Sequence, residues 1–273
     1  MDIKEREPMT TIVCGMTGVG KTYRTAQEIQ TYLMDDPSIG RKGRKVLIFD
    51  VNGEDSYSQY DPIDPKDVKA FVRQSKIEAR RIIRVDSTGK SMSNSEVQKM
   101  VSQAVAEFRS GLFVLEDIDK YMQFAKAQEI TSMLTANRHS DLDVIIAHQS
   151  MAKITTTEWQ NASILRLHYQ IDDPARYENR IPNPELVKLA KYVVDEQYLD
   201  ADNQYYLAYI DIRRQKFEPC DEASFRRACE RYLYEEPKEL TKMMARIGEG
   251  DRSTRNKQKA IDAYISNKIR YIQ

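Results

Sequence analysis

Lys21 and Thr22 close the run Gly15-Met16-Thr17-Gly18-Val19-Gly20-Lys21-Thr22, directly behind the apolar stretch TTIVC. The run fits G-x-x-x-x-G-K-[ST], in which glycines let successive backbone N–H groups point inward at the β-phosphate of a nucleotide. Gly15, Thr17, Gly18, Val19, Gly20, Lys21 and Thr22 are therefore the expected nucleotide-binding residues, with ATP as the nucleotide and Mg²⁺ as its counter-ion. In this arrangement Lys21 reaches the β- and γ-phosphates as a point charge, and the Thr22 hydroxyl ligates Mg²⁺. The following KTYRTAQEIQTYLM predicts a helix whose positive N-terminal end faces the same phosphates.

A second set of reactive side chains lies in GLFVLEDID. Phosphoryl transfer to water needs an anion that holds the metal and a base that polarises the water. The apolar residues Leu112–Leu115 place Glu116 at a strand end and Asp117 one residue beyond, so this pair divides those roles. Its order is the reverse of the Asp-Glu order usual in P-loop ATPases. DVIIAHQS supplies Gln149 at the end of the next strand. If that strand lies beside the acidic one, Gln149 emerges at the same sheet edge, where open α/β sheets bind ligands, and can bond water and γ-phosphate together.

Other chemistries find little support. His139, His148 and His168 stand singly without zinc spacing and read as packing or rim residues. Cys14, Cys220 and Cys229 match no metal or redox pattern and read as reduced, structural thiols. The 42 basic and 42 acidic residues cancel, so the total charge does not announce nucleic acid, although balanced totals can hide a basic face. The apolar runs fall far short of the roughly 20 residues of a membrane helix, and no signal pattern is visible. A soluble, cytoplasmic protein without a membrane span is expected.

To bring these residues together the chain needs strands whose ends share one edge. Short apolar runs at 10–15, 45–51, 81–85, 111–116, 143–148, 162–169 and 204–212 alternate with helical patterns. That alternation predicts a RecA-like α/β fold, a mostly parallel sheet with helices on both faces. SNSEVQKMVSQAVAEF opens with the capping-box spacing Ser93 to Glu96 and carries an apolar stripe through Val97, Met100, Val101, Ala104, Val105 and Phe108. IDKYMQFAKAQEITSMLTAN predicts a further helix after the acidic strand. Beyond FEPC the pattern is helical only, broken by GEGDRSTRN before a last helix near 256–270. The expected organisation is a tail at 1–9, an ATPase core at 10–217 and a small helical extension at 218–273.

The ordered set GMTGVGKT, KVLIFDVNGE, LFVLED and NRHSDLDVIIAHQS, followed by NASILRLHYQIDD, resembles the FtsK/HerA superfamily of ring-shaped DNA-pumping ATPases, over about residues 10–212. Within it the chain is most similar to the compact viral packaging ATPases and to the phage-assembly ATPases related to zonula occludens toxin, the latter usually carrying a membrane span. The resemblance implies an ATP-hydrolysing motor that forms a homo-oligomeric ring, a hexamer or pentamer, on double-stranded DNA. Viral genome packaging in the host cytoplasm, with a capsid or portal-type partner, is the first role it implies. A phage-assembly or secretion ATPase that moves protein, and a nucleotide-dependent scaffold with little hydrolysis, are the alternatives.

By position, the resemblance gives Glu116 to the metal, Asp117 to the catalytic base and Gln149 to γ-phosphate sensing, while Asp50 and Glu54 belong to a turn at the rim. It also implies an arginine contributed by the neighbouring subunit, with Arg138 first and Arg176 or Arg180 second. Two basic segments could meet DNA. Residues 241–273 hold eight Lys/Arg against three acids, and GRKGRK at 40–45 lies toward the sheet edge away from the nucleotide. Tyr264 and Tyr271, at helical spacing, read as packing rather than base stacking.

Overall fold

The computed structural model describes residues 7–85, 89–118, 134, 140–200, 202–247 and 254–273. They fall into two compact units, the first ending at Ser163 and the second beginning at Ile164.

In the first unit the strands β1 (Thr10–Cys14), β2 (Lys45–Asp50), β3 (Ala79–Ile83), β4 (Gly111–Leu115) and β5 (Leu142–His148) run parallel in the order β3-β2-β4-β5-β1. The helices between them are α1 (Lys21–Leu33), α2 (Val68–Arg73) and α3 (Asn94–Glu107), and α4 (Thr156–Asn161) follows β5. β2, β4 and β5 are buried along their whole lengths, as strands covered on both faces must be.

Alternate residues serve opposite faces of the sheet. Val46, Ile48, Leu112, Val114, Ile145 and Ala147 pack with Ala26 and Ile29 of α1. Leu47, Phe49, Phe113, Leu115, Val144 and Ile146 pack with Phe71 of α2 and with Val97, Val101 and Ala104 of α3. The expected capping box starts α3: the Ser93 hydroxyl accepts from the Glu96 N–H at 3.3 Å, and the Glu96 carboxylate accepts from the Ser93 N–H at 2.7 Å. This is the P-loop NTPase architecture, with β3 two residues earlier than its apolar run suggested. The helix expected after β4 lies outside the described residues apart from Leu134, which is buried.

The second unit holds β6 (Ile164–His168), α5 (Pro184–Leu199), β7 (Leu207–Asp211), β8 (Lys216–Glu218) and the helices α6 (Glu222–Glu235), α7 (Pro237–Ile247) and α8 (Thr254–Lys268). β7 is antiparallel to both β6 and β8. β8 was not foreseen, because three residues with one apolar side chain give too short a pattern to separate from a turn. The helical extension is firmly built in. Glu185 on α5 accepts from the Tyr264 hydroxyl at 2.6 Å and the Tyr271 hydroxyl at 3.3 Å, and it also pairs with Lys268. Tyr264 stacks on Tyr232 of α6. Both tail tyrosines are buried, in keeping with a packing role.

Candidate nucleotide site

The site is built where parallel strands end. Cys14 is in register with His148, and the Gly15 N–H continues that ladder by donating to the His148 carbonyl at 3.3 Å. The chain then turns through Gly18 and Gly20 at φ of 85° and 82°, left-handed geometry that glycine alone adopts at little cost. Gly20 is the N-cap of α1, and no side chain caps this helix. By contrast Ser93, Thr155, Asn183 and Asp221 cap α3, α4, α5 and α6 with hydrogen-bonding side chains. A helix start that its own chain does not seal, behind a turn of left-handed glycines, has the form of an anion seat.

Lys21 lies inside this loop. Its side chain is buried, and Nζ donates to the Gly15 and Met16 carbonyls at 2.7 Å each. Val19 is buried, Thr22 is half-buried, and Thr17 and Gly18 are exposed. The buried end of the loop therefore carries the ammonium, and the exposed crest carries backbone.

The two carboxylates at the end of β4 occupy different surroundings. Glu116 is 2% exposed; its N–H donates to the Phe49 carbonyl at 3.4 Å, and its Oε1 accepts a short hydrogen bond from the Tyr57 hydroxyl. Asp117, half-buried at the rim, has a φ of 44°, which is uncommon for a residue with a side chain. Its Oδ2 accepts from Gln149 Nε2 at 2.9 Å and from Asn52 Nδ2 at 3.1 Å. The expectation that Gln149 emerges beside the acidic pair thus rests on a direct hydrogen bond.

Asn52 is a neighbour of Asp117 that sequence reasoning did not foresee. It lies in the Asp50-x-x-Gly53-Glu54 turn, read only as part of the rim. Asp50 is fully buried and organises that turn: Oδ1 accepts from the Glu54 N–H at 2.9 Å, and Oδ2 accepts from Arg81 at 3.1 Å.

Behind the loop, His148 and Glu158 are both fully buried, with Nε2 and Oε1 3.3 Å apart, and Glu158 also forms the capping box of α4 with Thr155. His148 and His168 are interior residues. Arg138 and His139 lie outside the described residues. Arg176, in a 3-10 turn at Pro174–Tyr177, and Arg180, whose N–H bonds the Tyr177 carbonyl, are exposed residues of the second unit.

Most of the 40–45 basic patch is committed to the fold, which weakens its reading as a phosphate-binding surface. Arg44 pairs with Asp141 at 2.5 Å, Arg41 donates to the Thr31 carbonyl at 3.2 Å, and the buried Lys45 donates to the Val72 carbonyl at 2.7 Å and to that of Gln74. The cysteines are free thiols, and burial first, then neighbouring carboxylates, pushes Cys220 and Cys229 each up to about 12. Among the described residues no helix is long and apolar enough to cross a membrane.

The family model described as zonular occludens toxin (Zot) matches residues 9–172. No curated protein matches the chain. Among solved structures, the chain is similar to B204, the DNA-packaging ATPase of Sulfolobus turreted icosahedral virus, at 15% identity and a TM-score of 0.51, covering 78% of this chain and 97% of that one. B204 of Sulfolobus turreted icosahedral virus 2, in complex with ATP-γS, aligns at 16% identity and a TM-score of 0.46 over 77% and 95%. The N-terminal domain of zonular occludens toxin from Neisseria meningitidis aligns at 13% identity and 0.37 over 64% and 91%. At 15% identity the likeness to B204 of Sulfolobus turreted icosahedral virus is one of fold.

Proposed function

The chain belongs to the zonular occludens toxin (Zot) family, and from that premise we propose that it is an ATP-hydrolysing motor, assembled as a homo-oligomeric ring, that translocates double-stranded DNA in viral genome packaging. One observation carries the reading. The ends of parallel strands bring together a glycine-rich anion seat, a buried glutamate, and a rim aspartate bonded to Gln149.

In this reading Lys21 gives up its loop carbonyls for the β- and γ-phosphate oxygens, and the backbone of Gly15–Thr22 holds the β-phosphate. A hydroxyl and a carboxylate beside substrate phosphates are the donor set Mg²⁺ favours. Thr22 and Glu116 would hold it, and when bound it neutralises charge that builds on the phosphate oxygens. Asp117 takes the proton of the attacking water. Gln149, bonded to that carboxylate, lies where it can orient the water against the γ-phosphate. An arginine from a neighbouring subunit would offset transition-state charge, with Arg138 as the first choice and Arg176 or Arg180 next.

The fold shared with a viral DNA-packaging ATPase supports DNA as the moved polymer, and a capsid or portal-type protein would then recruit the ring. Membership of the Zot family also fits a second reading, a phage-assembly ATPase whose cargo is protein. ATPase rates measured with and without duplex DNA across a range of protein concentrations separate these. Turnover that rises with concentration and again with DNA is expected. A concentration-dependent rate indifferent to DNA points to protein cargo, and nucleotide binding without turnover points to a scaffold.

A further inference from the structure

The turn after β2 carries more organisation than a loop at a rim requires. Asp50 is fully buried, yet one of its oxygens is spent on the Glu54 N–H and the other on Arg81. Gly53 sits at a φ of 69°, which closes the turn in left-handed geometry. Held at both ends, the turn projects Asn52 across to β4. There its Nδ2 donates to Asp117 Oδ2 at 3.1 Å, with a longer approach of 3.3 Å to Glu54 Oε1.

Gln149 reaches the same Oδ2 from the end of β5. Amides from two different strand ends therefore converge on one oxygen of one carboxylate. Asp117 is also held at positive φ, uncommon for a residue with a side chain.

Resting on the reading of Asp117 as the base, we infer that Asn52 is a positioning residue for it: the amides of Asn52 and Gln149 fix the Asp117 carboxylate by one oxygen, which sets the direction of the other. Gln149 is placed to leave this clamp for the γ-phosphate. Asn52, anchored through Asp50 and Arg81, stays as the fixed jaw. A general base acts only within hydrogen-bond reach of its proton, and loss of the fixed jaw lets the carboxylate swing without altering the phosphate loop. The expected signature is a fall in kcat with nucleotide affinity unchanged.

Asn52→Leu keeps the volume and removes the donor, Asn52→Ala removes both, and Asn52→Gln restores an amide on a longer arm. Each would be measured for kcat, for affinity toward a non-hydrolysed ATP analogue and for thermal midpoint, beside the wild type. Asn52→Leu and Asn52→Ala are expected to lose about tenfold in kcat, a share of the roughly 10²–10⁴ that a positioned base contributes, at constant affinity and midpoint. Asn52→Gln is expected to recover most of that loss. Wild-type kcat in the Leu and Ala variants overturns the inference, as does a parallel fall in affinity or midpoint, or a Gln variant as slow as Leu. Those results leave the ATPase reading standing, whereas a wild-type chain that binds nucleotide and never turns it over removes both.

Discussion

The two ends of the parallel sheet in the first unit use polar residues in opposite ways. Where the strands begin, polar groups close on one another. Asp143 is buried and accepts from the Met9 N–H at 2.7 Å and the Tyr32 hydroxyl at 2.6 Å, with Arg44 at 3.8 Å, while Arg44 also binds Asp141. Lys45 is capped by loop carbonyls, and burial, partly offset by Glu78, holds its ammonium below the usual lysine range. Where the strands end, polar groups converge from β1, β2, β4 and β5 around a helix start that no side chain caps. Left-handed backbone occurs at both ends, at Ser110 and Asp141 where strands begin and at Gly18, Gly20, Gly53 and Asp117 where they end. What separates the ends is closure. At the first, the Ser110 N–H donates to the Ser140 carbonyl at 2.9 Å and Arg44 donates to the Asp141 carbonyl at 2.6 Å; at the second, α1 starts behind left-handed glycines with no side-chain cap. Substitutions at the two ends should therefore separate activity from stability.

The largest effect is expected at the loop. Lys21→Ala should abolish turnover and weaken nucleotide binding, with the circular dichroism spectrum and melting midpoint close to wild type. Undiminished hydrolysis would remove the site. Asp117→Asn comes next: the amide keeps the shape and loses the basicity, so ATP should bind and persist in a single-turnover assay. If Glu116→Gln gives that phenotype and Asp117→Asn turns over normally, the roles of the two carboxylates are exchanged.

Arg138→Ala should slow hydrolysis by about 10³-fold or more with affinity nearly unchanged, since a trans arginine acts on transition-state charge. Mixing it with Asp117→Asn subunits should restore part of the rate, because some interfaces then receive an intact half from each. Proven mixed rings with no recovery shift attention to Arg176 and Arg180. At the opposite end of the sheet, Asp143→Ala should cost about 1–3 kcal/mol by removing the acceptor of the Met9 N–H and the Tyr32 hydroxyl, while Arg44 keeps Asp141. Chemical denaturation checks this, and whatever remains folded should retain wild-type kcat.

The smallest effect concerns DNA. Removing α8 outright would strip the buried Ala260, Tyr264 and Ile265 from the second unit, so truncation tests folding before it tests charge. Lys257 and Lys259 are exposed on that helix. Replacing both with Gln should flatten the dependence of log K on log salt by about 0.9 for each phosphate that a lysine had neutralised. An unchanged slope removes these two lysines from the proposed DNA contact.

Which features were legible follows from how local they are. The buried strands announced themselves as apolar runs, and the glycine-lysine loop, the acidic pair and Gln149 each stood at the end of such a run, so the parallel order brought them together. The α3 capping box was legible because its partners are three residues apart. Asn52 was not, because an asparagine before glycine is by default a turn residue, and nothing nearby in sequence reveals that it meets Asp117, 65 positions away. The partners of the basic run at 40–45 were hidden for the same reason: Arg44 pairs with Asp141, 97 positions away. Glu185 gathers Tyr264, Lys268 and Tyr271 across comparable gaps, which no periodicity encodes.

The pairing of β1 with β5 also bears on how the protein is made. Met9 bonds Asp143 across 134 positions, so at about 5–20 residues per second a ribosome needs on the order of ten seconds to deliver the strand that β1 pairs with. During that interval TTIVC is an apolar segment lacking its β5 ladder, and the glycine turn behind it has no His148 carbonyl to anchor Gly15. The phosphate loop is thus encoded early and assembled late. Nascent chains stalled before Leu142 should be caught by aggregation-suppressing chaperones, and those extended past His148 should escape them.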